Sequence, residues 1–290
     1  MSKPKILVQI DSDDHASLFD AVVGVDCQID HLLQYSSVQL SQVRDLVHGA
    51  IFTRGPDDLR NTAIFVGGSD VSAGEALLEA VTSCFFGPMR VSVMLDASGA
   101  NTTAAAAVLA AARHTDLCGA EALVLAATGP VGQRATRLLA RSGAHVRVAS
   151  RSEKKAEAVC RRVHEQVENA NLTACSVETP EQAATALRGV RVLIAAGAVG
   201  IQLLSEELLQ GAADLRIAID LNAVPPLGIA GSKVSDVAVE RNGVLYYGAI
   251  GVGGTKMRIH KAAVRQLFAS NGQVLDAEEI FSVGAELENA

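Results

Sequence analysis

Short apolar runs alternate with amphipathic or polar stretches along most of this chain. KILVQID, residues 5–11, reads as a buried strand, and a helical stretch follows around Ser17–Gly24. VRDLVHGAIFTRG leads into TAIFVGGSD, residues 62–70: an apolar strand, a glycine pair, and a helix start with Ser69 or Asp70 as cap. That helix is expected to run through Gly74–Cys84, with RVSVMLD, residues 90–96, as the next strand. Strand and helix thus alternate over the first hundred residues, which predicts a parallel α/β layer. In DASGANTTAAAAVLAAARH, Asn101 or Thr102 can cap an alanine-rich helix, expected to bridge two domains. From Glu121 a second series begins. ALVLAA, HVRVAS, LTACSV, VRVLIAAG, LRIAIDLN and VLYYGAIG read as strands. TGPVGQRATRLLARSG, SEKKAEAVCRRVHEQVENA, PEQAATAL and SEELLQ read as turn-plus-helix or helix between them.

Composition narrows the class. Of 290 residues, 49% are hydrophobic and only 20% charged, enough for a large core. Aromatics are 3% and Trp is absent, so alanine, valine and leucine fill the interior, as suits helices packed on parallel sheets. The formal charge of −7 with no basic block argues against nucleic acid as a partner. Five scattered cysteines (Cys27, Cys84, Cys118, Cys160, Cys175) give neither a metal-ligand spacing nor a disulfide framework, and buried thiols in a reducing cytoplasm are expected. His15, His31, His48, His114, His145 and His164 are too dispersed to bind a metal together, and no metal is expected. MSKPKILVQIDSDD lacks the longer apolar segment of a signal peptide. No apolar run reaches the roughly 18–20 residues of a membrane span.

The most informative stretch is LVLAATGPVGQRATRLLARSGAHVRVASRSEKK. It places A-x-G-x-x-G (Ala127, Gly129, Gly132) between an apolar strand and a helix that feeds a second strand, the context of a Rossmann-type dinucleotide cradle. Alanine at the first position costs little if its φ is negative. Pro130 suits a first helical turn, where its missing N–H is no loss. Thr128, Gly129, Pro130, Val131 and Gly132 are therefore the expected phosphate-binding turn, at a helix start whose free N–H groups favour an anion. The second strand ends in Ser150–Arg151–Ser152, with Lys155 close behind and no acid at its tip. An acid there would hold the adenosine ribose diol. Arg151 instead offers a fork for a 2′-phosphate, so NADP is expected over NAD. Ala196 and Gly197, and Asn222 in the loop after LRIAID, are expected at the nicotinamide half.

TRGPDDLRNTAIFVGGSD, FFGPMRVSVMLDASGANTTAAA, LAATGPVG, DLNAVPPLGIAG and YGAIGVGGTKMRIHKA together resemble the bacterial methylene-tetrahydromethanopterin dehydrogenases, to which the methylene-tetrahydrofolate enzyme of methylotrophs is related. The resemblance runs nearly end to end. It implies two α/β domains with a cleft between them: residues 1–100 with 255–290 on the pterin side, and 101–254 as the NADP domain. It implies direct hydride transfer from the methylene carbon of a tetrahydromethanopterin-type pterin to NADP, leaving the methenyl form, with NAD tolerated, no metal or flavin, and a trimer-based homo-oligomer. It also marks Lys256 as an active-site lysine that positions the pterin.

Lys256 and His260 fall one helical turn apart in GGTKMRIHKA. Phe19 can stack on a pterin and Asp20 can oppose an incipient cation. Asp96, Ser98, Asn101 and Thr102 are the polar candidates for the cleft. Lys256, Asp20 and His260 are thus the expected catalytic set, with Phe19, Asp96, Ser98, Asn101, Thr102 and Lys256 on substrate. Three alternatives stay open: the folate carrier, a shikimate-dehydrogenase-like alcohol oxidoreductase, and a non-catalytic NADP-binding regulator. The second needs a proton-transferring Lys–Asp pair, yet no lysine occurs between Lys5 and Lys154.

Overall fold

The structure is a computed structural model describing residues 3–289. The chain divides into two compact units, Met1–Thr102 with Met257–Ala290, and Thr103–Lys256; Met1, Ser2 and Ala290 lie outside the described residues. The first unit opens with β1 (Ile6–Ile10), α1 (Leu18–Asp26), β2 (His31–Tyr35), α2 (Leu40–Ile51), β3 (Thr62–Val66), α3 (Val71–Ser83) and β4 (Ser92–Leu95), and the chain leaves it along α4 (Ala100–Ala112). The second unit follows with β5 (Glu121–Leu125), α5 (Pro130–Arg141), β6 (His145–Ser150), α6 (Glu153–Gln166), β7 (Asn171–Ser176), α7 (Pro180–Leu187), β8 (Val192–Ala195), α8 (Glu206–Gln210), β9 (Ile217–Asp220), β10 (Val239–Arg241) and β11 (Val244–Tyr247). Helix α9 (Ala249–Gln266) returns the chain to the first unit, which ends with β12 (Val274–Leu275) and α10 (Ala277–Asn289).

The first sheet has the order β12-β4-β3-β1-β2, all parallel. Its central strands are covered on both faces, so β3 and β4 are apolar without alternation and every residue in them is buried. β2 is an edge strand with most residues exposed, and the weak apolar signal of HLLQY follows from that. The second sheet has the order β10-β11-β9-β8-β5-β6-β7, parallel except for the β10–β11 pair. Leu123, Leu125, Leu193, Ala218 and Ile229 anchor a core on one face of it. The predicted α/β class with a Rossmann-like parallel sheet is what the chain adopts.

Three expectations need correcting. Asn101 and Thr102 do not cap α4, because the helix already begins at Ala100; the buried Asp96 carboxylate serves its first turn by accepting the Thr102 N–H at 3.0 Å. VLYYGAIG is not one strand, since β11 stops at Tyr247 and α9 starts at Ala249. The cysteines are not uniformly buried: Cys27 and Cys160 are, Cys84 and Cys175 are half-buried, and Cys118 is exposed. All five are free thiols, and burial pushes Cys175 up to about 11. Among the described residues no helix is long and apolar enough to cross a membrane, and no group of His, Cys, Asp or Glu could hold a metal.

The turn before β10 is held by Asp236, buried at 3% exposure. Arg241 grips its carboxylate with two hydrogen bonds of 2.7 Å, and the Lys233 N–H adds a third at 2.8 Å. Burial opposes the charge, but the Arg241 bonds, the Lys233 N–H and the Arg241 charge outweigh it and hold the carboxyl below its usual range. A depressed carboxylate stabilises the fold above its unfolded pKa, and that contribution disappears as pH falls through the folded value. Asp236→Asn should therefore cost about 1–3 kcal/mol at neutral pH. The gap in Tm between wild type and variant should close as the solution is taken below the ordinary carboxylate range; a gap independent of pH would show that the charge contributes nothing.

Candidate functional site

In the second unit the strand order reverses between β5 and β8, the position at which open α/β sheets bind ligands beyond their strand ends. The turn after β5 is the A-x-G-x-x-G stretch. Its left-handed residue is Ala126, at φ 53°, so Ala127 escapes the conformation that would demand glycine there. A Cβ on Gly132 would come within 2.7 Å of the Ala126 carbonyl and 2.8 Å of Ala127 Cα, so this glycine is required for helix α5 to approach the strand end. Gly129 differs. Its φ is −76°, and a Cβ there would meet protein atoms only at 3.5 Å or beyond. Nothing in the protein forbids a side chain at Gly129, and its bare face lies at the α5 N-cap. Thr128 is half-buried, Pro130 opens the helix, and the N–H groups of Val131 and Gly132 fall in the first turn, where helical geometry supplies no partner. This is a cradle that fits a pyrophosphate.

At the end of β6, Ser150 is buried and its hydroxyl accepts the Ser152 N–H at 3.3 Å, tightening the turn that carries Arg151. Arg151 and Lys155 are exposed, and Ser152 is the N-cap of α6. The loop after β8 begins at Ala196 and Gly197, both half-buried. Asn222 is buried, and its amide is used within the loops themselves. Its Oδ1 accepts the Val224 N–H at 3.0 Å, and its Nδ2 donates to the Pro226 carbonyl at 3.2 Å.

In the first unit the order reverses between β1 and β3. Asp11 follows β1 directly and is fully buried; it accepts the Asp13 N–H at 2.9 Å and the Ser17 N–H at 3.1 Å. Ser17 in turn caps α1 through the Asp20 N–H, so the strand end fixes the helix start that presents Phe19 and Asp20. A Cβ placed on Gly67, just past β3, would stand 3.1 Å from Asp11 Oδ2 and 3.7 Å from Asp20 Oδ2, so both carboxylates border one small space. His260, 1% exposed, stacks on Phe65 with ring centres 5.6 Å apart, and Phe19 lies 6.2 Å away. Its Nε2 is 3.8 Å from Asp20 Oδ1 and its Nδ1 4.0 Å from Asp96 Oδ2, ion-pair rather than hydrogen-bond separations. Asp96 also accepts the Thr102 hydroxyl at 2.6 Å.

Phe19, Asp20, Asp96, Thr102 and His260 are thus gathered at one end of the first sheet. Ser98 is exposed with φ 55°, its N–H donating to the Gly68 carbonyl at 2.6 Å. The Asn101 amide turns inward, donating to the Leu95 carbonyl at 2.6 Å and to Asp276 at 2.8 Å. Lys256 is half-buried on α9, one turn before His260. Sequence reasoning did not single out Asp11, Phe65 or Gly67. The available signal was an acid or glycine directly after an apolar run, where a parallel strand hands over to its loop.

A family model described as methylene-tetrahydromethanopterin dehydrogenase, N-terminal, matches residues 18–98. A relative from Methylorubrum extorquens named "Bifunctional protein MdtA" is 43% identical over 289 residues, covering 99% of this chain and 100% of its own. The chain belongs to the methylene-tetrahydromethanopterin dehydrogenase family. A second family relative from the same organism, named NAD(P)-dependent methylenetetrahydromethanopterin dehydrogenase, is 29% identical and covers 94% of this chain and 95% of its own. Among solved structures, shikimate 5-dehydrogenase from Listeria monocytogenes, in complex with shikimate and NAD, shares the fold at a TM-score of 0.55 and 14% identity, over 97% of this chain and 96% of that one.

The two glycines of the family cradle should separate in mutagenesis. Gly132→Ala forces helix against strand end and should cost about 1–3 kcal/mol, read as a lowered Tm. Gly129→Ala should melt like wild type yet lose dinucleotide affinity in titration calorimetry. A Gly129→Ala protein that binds normally would mean that no phosphate stands at that turn.

Proposed function

We propose that the protein catalyses the NADP-dependent oxidation of methylene-tetrahydromethanopterin to its methenyl form by direct hydride transfer. The observation that carries this reading is family membership over the whole chain at 43% identity. The geometry supports it: an uncrowded Gly129 at the N-cap of α5, an acid-free β6 end with Arg151, and the carboxylates of Asp11, Asp20 and Asp96 grouped at the strand-order reversal of the first unit.

When bound, the nicotinamide supplies a hydride acceptor at C4. The donor carbon lies between two nitrogens that share the positive charge left behind, so no hydroxyl proton has to be removed. The work of the side chains is then to bind, orient and exclude water. The first-turn N–H groups of Val131 and Gly132 hold the pyrophosphate, Thr128 borders it, and Gly129, whose own N–H is bonded to the Ala126 carbonyl, lets it approach the turn closely. Arg151, with Ser150, Ser152 and Lys155, holds the 2′-phosphate, and Ala196 and Gly197 let backbone approach the nicotinamide half. In the pterin site Phe19 stacks on the ring. Asp20 faces the incipient cation, and a carboxylate there stabilises charge that develops on the substrate. His260, flanked by Asp20 and Asp96, orients the Asp20 carboxylate, and Ser98 and Thr102 lie at the edge of the same site. Lys256 positions the pterin's polar edge; a cation beside a forming cation is otherwise an electrostatic cost. Leu18, Val22 and Val25 form an exposed apolar stripe on α1, which supports a homo-oligomer, trimer-based as the resemblance implies, whose mass light scattering reads directly.

The deciding assay mixes pure protein with NADP+ and either methylene-tetrahydromethanopterin or methylene-tetrahydrofolate, following NADPH and methenyl absorbance. Turnover with the methanopterin carrier is expected, and Lys256→Ala should lose turnover while keeping nucleotide affinity. No signal with either carrier sinks the dehydrogenase reading, and signal with folate alone moves the substrate. Arg151→Ala should weaken NADP+ by roughly ten- to a hundred-fold and NAD+ far less. Equal weakening of both cofactors would remove Arg151 from the 2′-phosphate.

A further inference from the structure

The carboxyl end of β9 carries a residue that the nucleotide motif does not involve. Asp220 is fully buried, and no cationic side chain among the described residues pairs with it. A carboxylate in that setting is costly unless hydrogen bonds replace the water it lost. It has three. Oδ1 accepts the Asn222 N–H at 3.0 Å, and Oδ2 accepts the Ile229 N–H and the Ser232 hydroxyl, both at 2.8 Å. One side chain thereby folds the whole 222–232 excursion back onto the strand it left. Gly228 packs so closely against it that a Cβ there would come within 2.9 Å of Asp220 Oδ1.

Asn222 extends the fixation to the neighbouring loop. Its Oδ1 is 3.5 Å from the Gly200 N–H and its Nδ2 3.5 Å from the Ala198 carbonyl, in addition to its bonds to Val224 and Pro226. The Leu203 and Leu204 N–H groups both donate to the Gly228 carbonyl, at 2.8 and 3.0 Å. The loops after β8 and β9 are therefore cross-linked to each other through Asn222 and Gly228 and to the end of β9 through Asp220. They lie on the far side of the strand-order reversal from the β6 end, so they border the nicotinamide half and not the adenosine half.

We propose that Asp220 is a positioning residue for the nicotinamide end of the dinucleotide, acting through Asn222 on the 196–200 and 222–226 loops. The inference rests on the nucleotide reading above. Asp220 need touch no cofactor atom, and the adenosine end should not depend on it.

Asp220→Asn tests this, because the amide turns an acceptor into a donor facing N–H or O–H groups. Wild type and variant are titrated with NADP+ and with adenosine 2′,5′-bisphosphate, which lacks the nicotinamide, and kcat and KM are measured with the pterin. The variant should bind the bisphosphate as wild type does, while KM for NADP+ rises and kcat falls by roughly ten-fold or more. Ser232→Ala, which removes one of the three bonds, should shift both parameters the same way by less, and it decides the matter if Asp220→Asn does not fold. Parallel loss of both ligands would mean a general structural role and overturn the proposal, as would unchanged turnover. Wild-type protein that binds neither ligand would overturn the nucleotide reading itself, and this inference with it.

Discussion

The segments that follow β1, β4 and β9 depend on one interaction: a buried carboxylate at the end of a parallel strand, saturated by donors from the segment that follows. Asp11 after β1, Asp96 after β4 and Asp220 at the end of β9 are all at most 1% exposed. Each accepts hydrogen bonds from backbone or hydroxyl groups between two and twelve residues downstream. The desolvation of each anion is severe, and it is offset only while those donors stay in place. Loop and strand are thereby tied: the chain departs from the sheet in one direction, because any other leaves a buried charge without partners.

This constraint lets two unlike sites follow the same rule. Each sheet reverses its strand order once, and each reversal opens a gap between loops. In the second unit the gap is edged by backbone N–H groups and carries no acid at the end of β6, which suits phosphates. In the first it is edged by Asp11, Asp20, Asp96 and His260, which suits a ligand that acquires positive charge. The electrostatic contrast arises from the side chains that follow the strands, while the strands themselves are nearly interchangeable apolar runs.

Most elements of the second unit were legible because most of its strands are short apolar runs bounded by glycine or polar turns; β10, the charged stretch VER at the sheet edge, was not, and VLYYGAIG runs across the boundary between β11 and α9. HVRVAS and PEQAATAL begin and end where periodicity places β6 and α7. Much less of residues 31–51 was legible. β2 is an exposed edge whose pattern mixes polar and apolar residues, and α2 displays its Val43, Val47 and Ile51 stripe only once a neighbouring sheet is known to bury it. Asn222 was expected at the nicotinamide half because its loop follows a parallel strand end. That its amide is bonded to the loops on both sides of it is a use that no local pattern discloses. His260 was ambiguous for a related reason: its neighbours Asp20, Phe65 and Asp96 are remote in the chain and meet only when the sheet assembles.

The alanine at position 127 has a wider consequence. The torsional burden of the turn falls on the residue before it, and the crowding falls on Gly132, so the leading glycine of the fingerprint is dispensable here while the trailing one is not. A search that scores all three glycines alike would rank this chain level with proteins that keep the first and lose the last, although only the latter have given up the contact that seats the helix. Degrees of freedom, rather than letter matches, are the fairer measure of whether such a turn is intact.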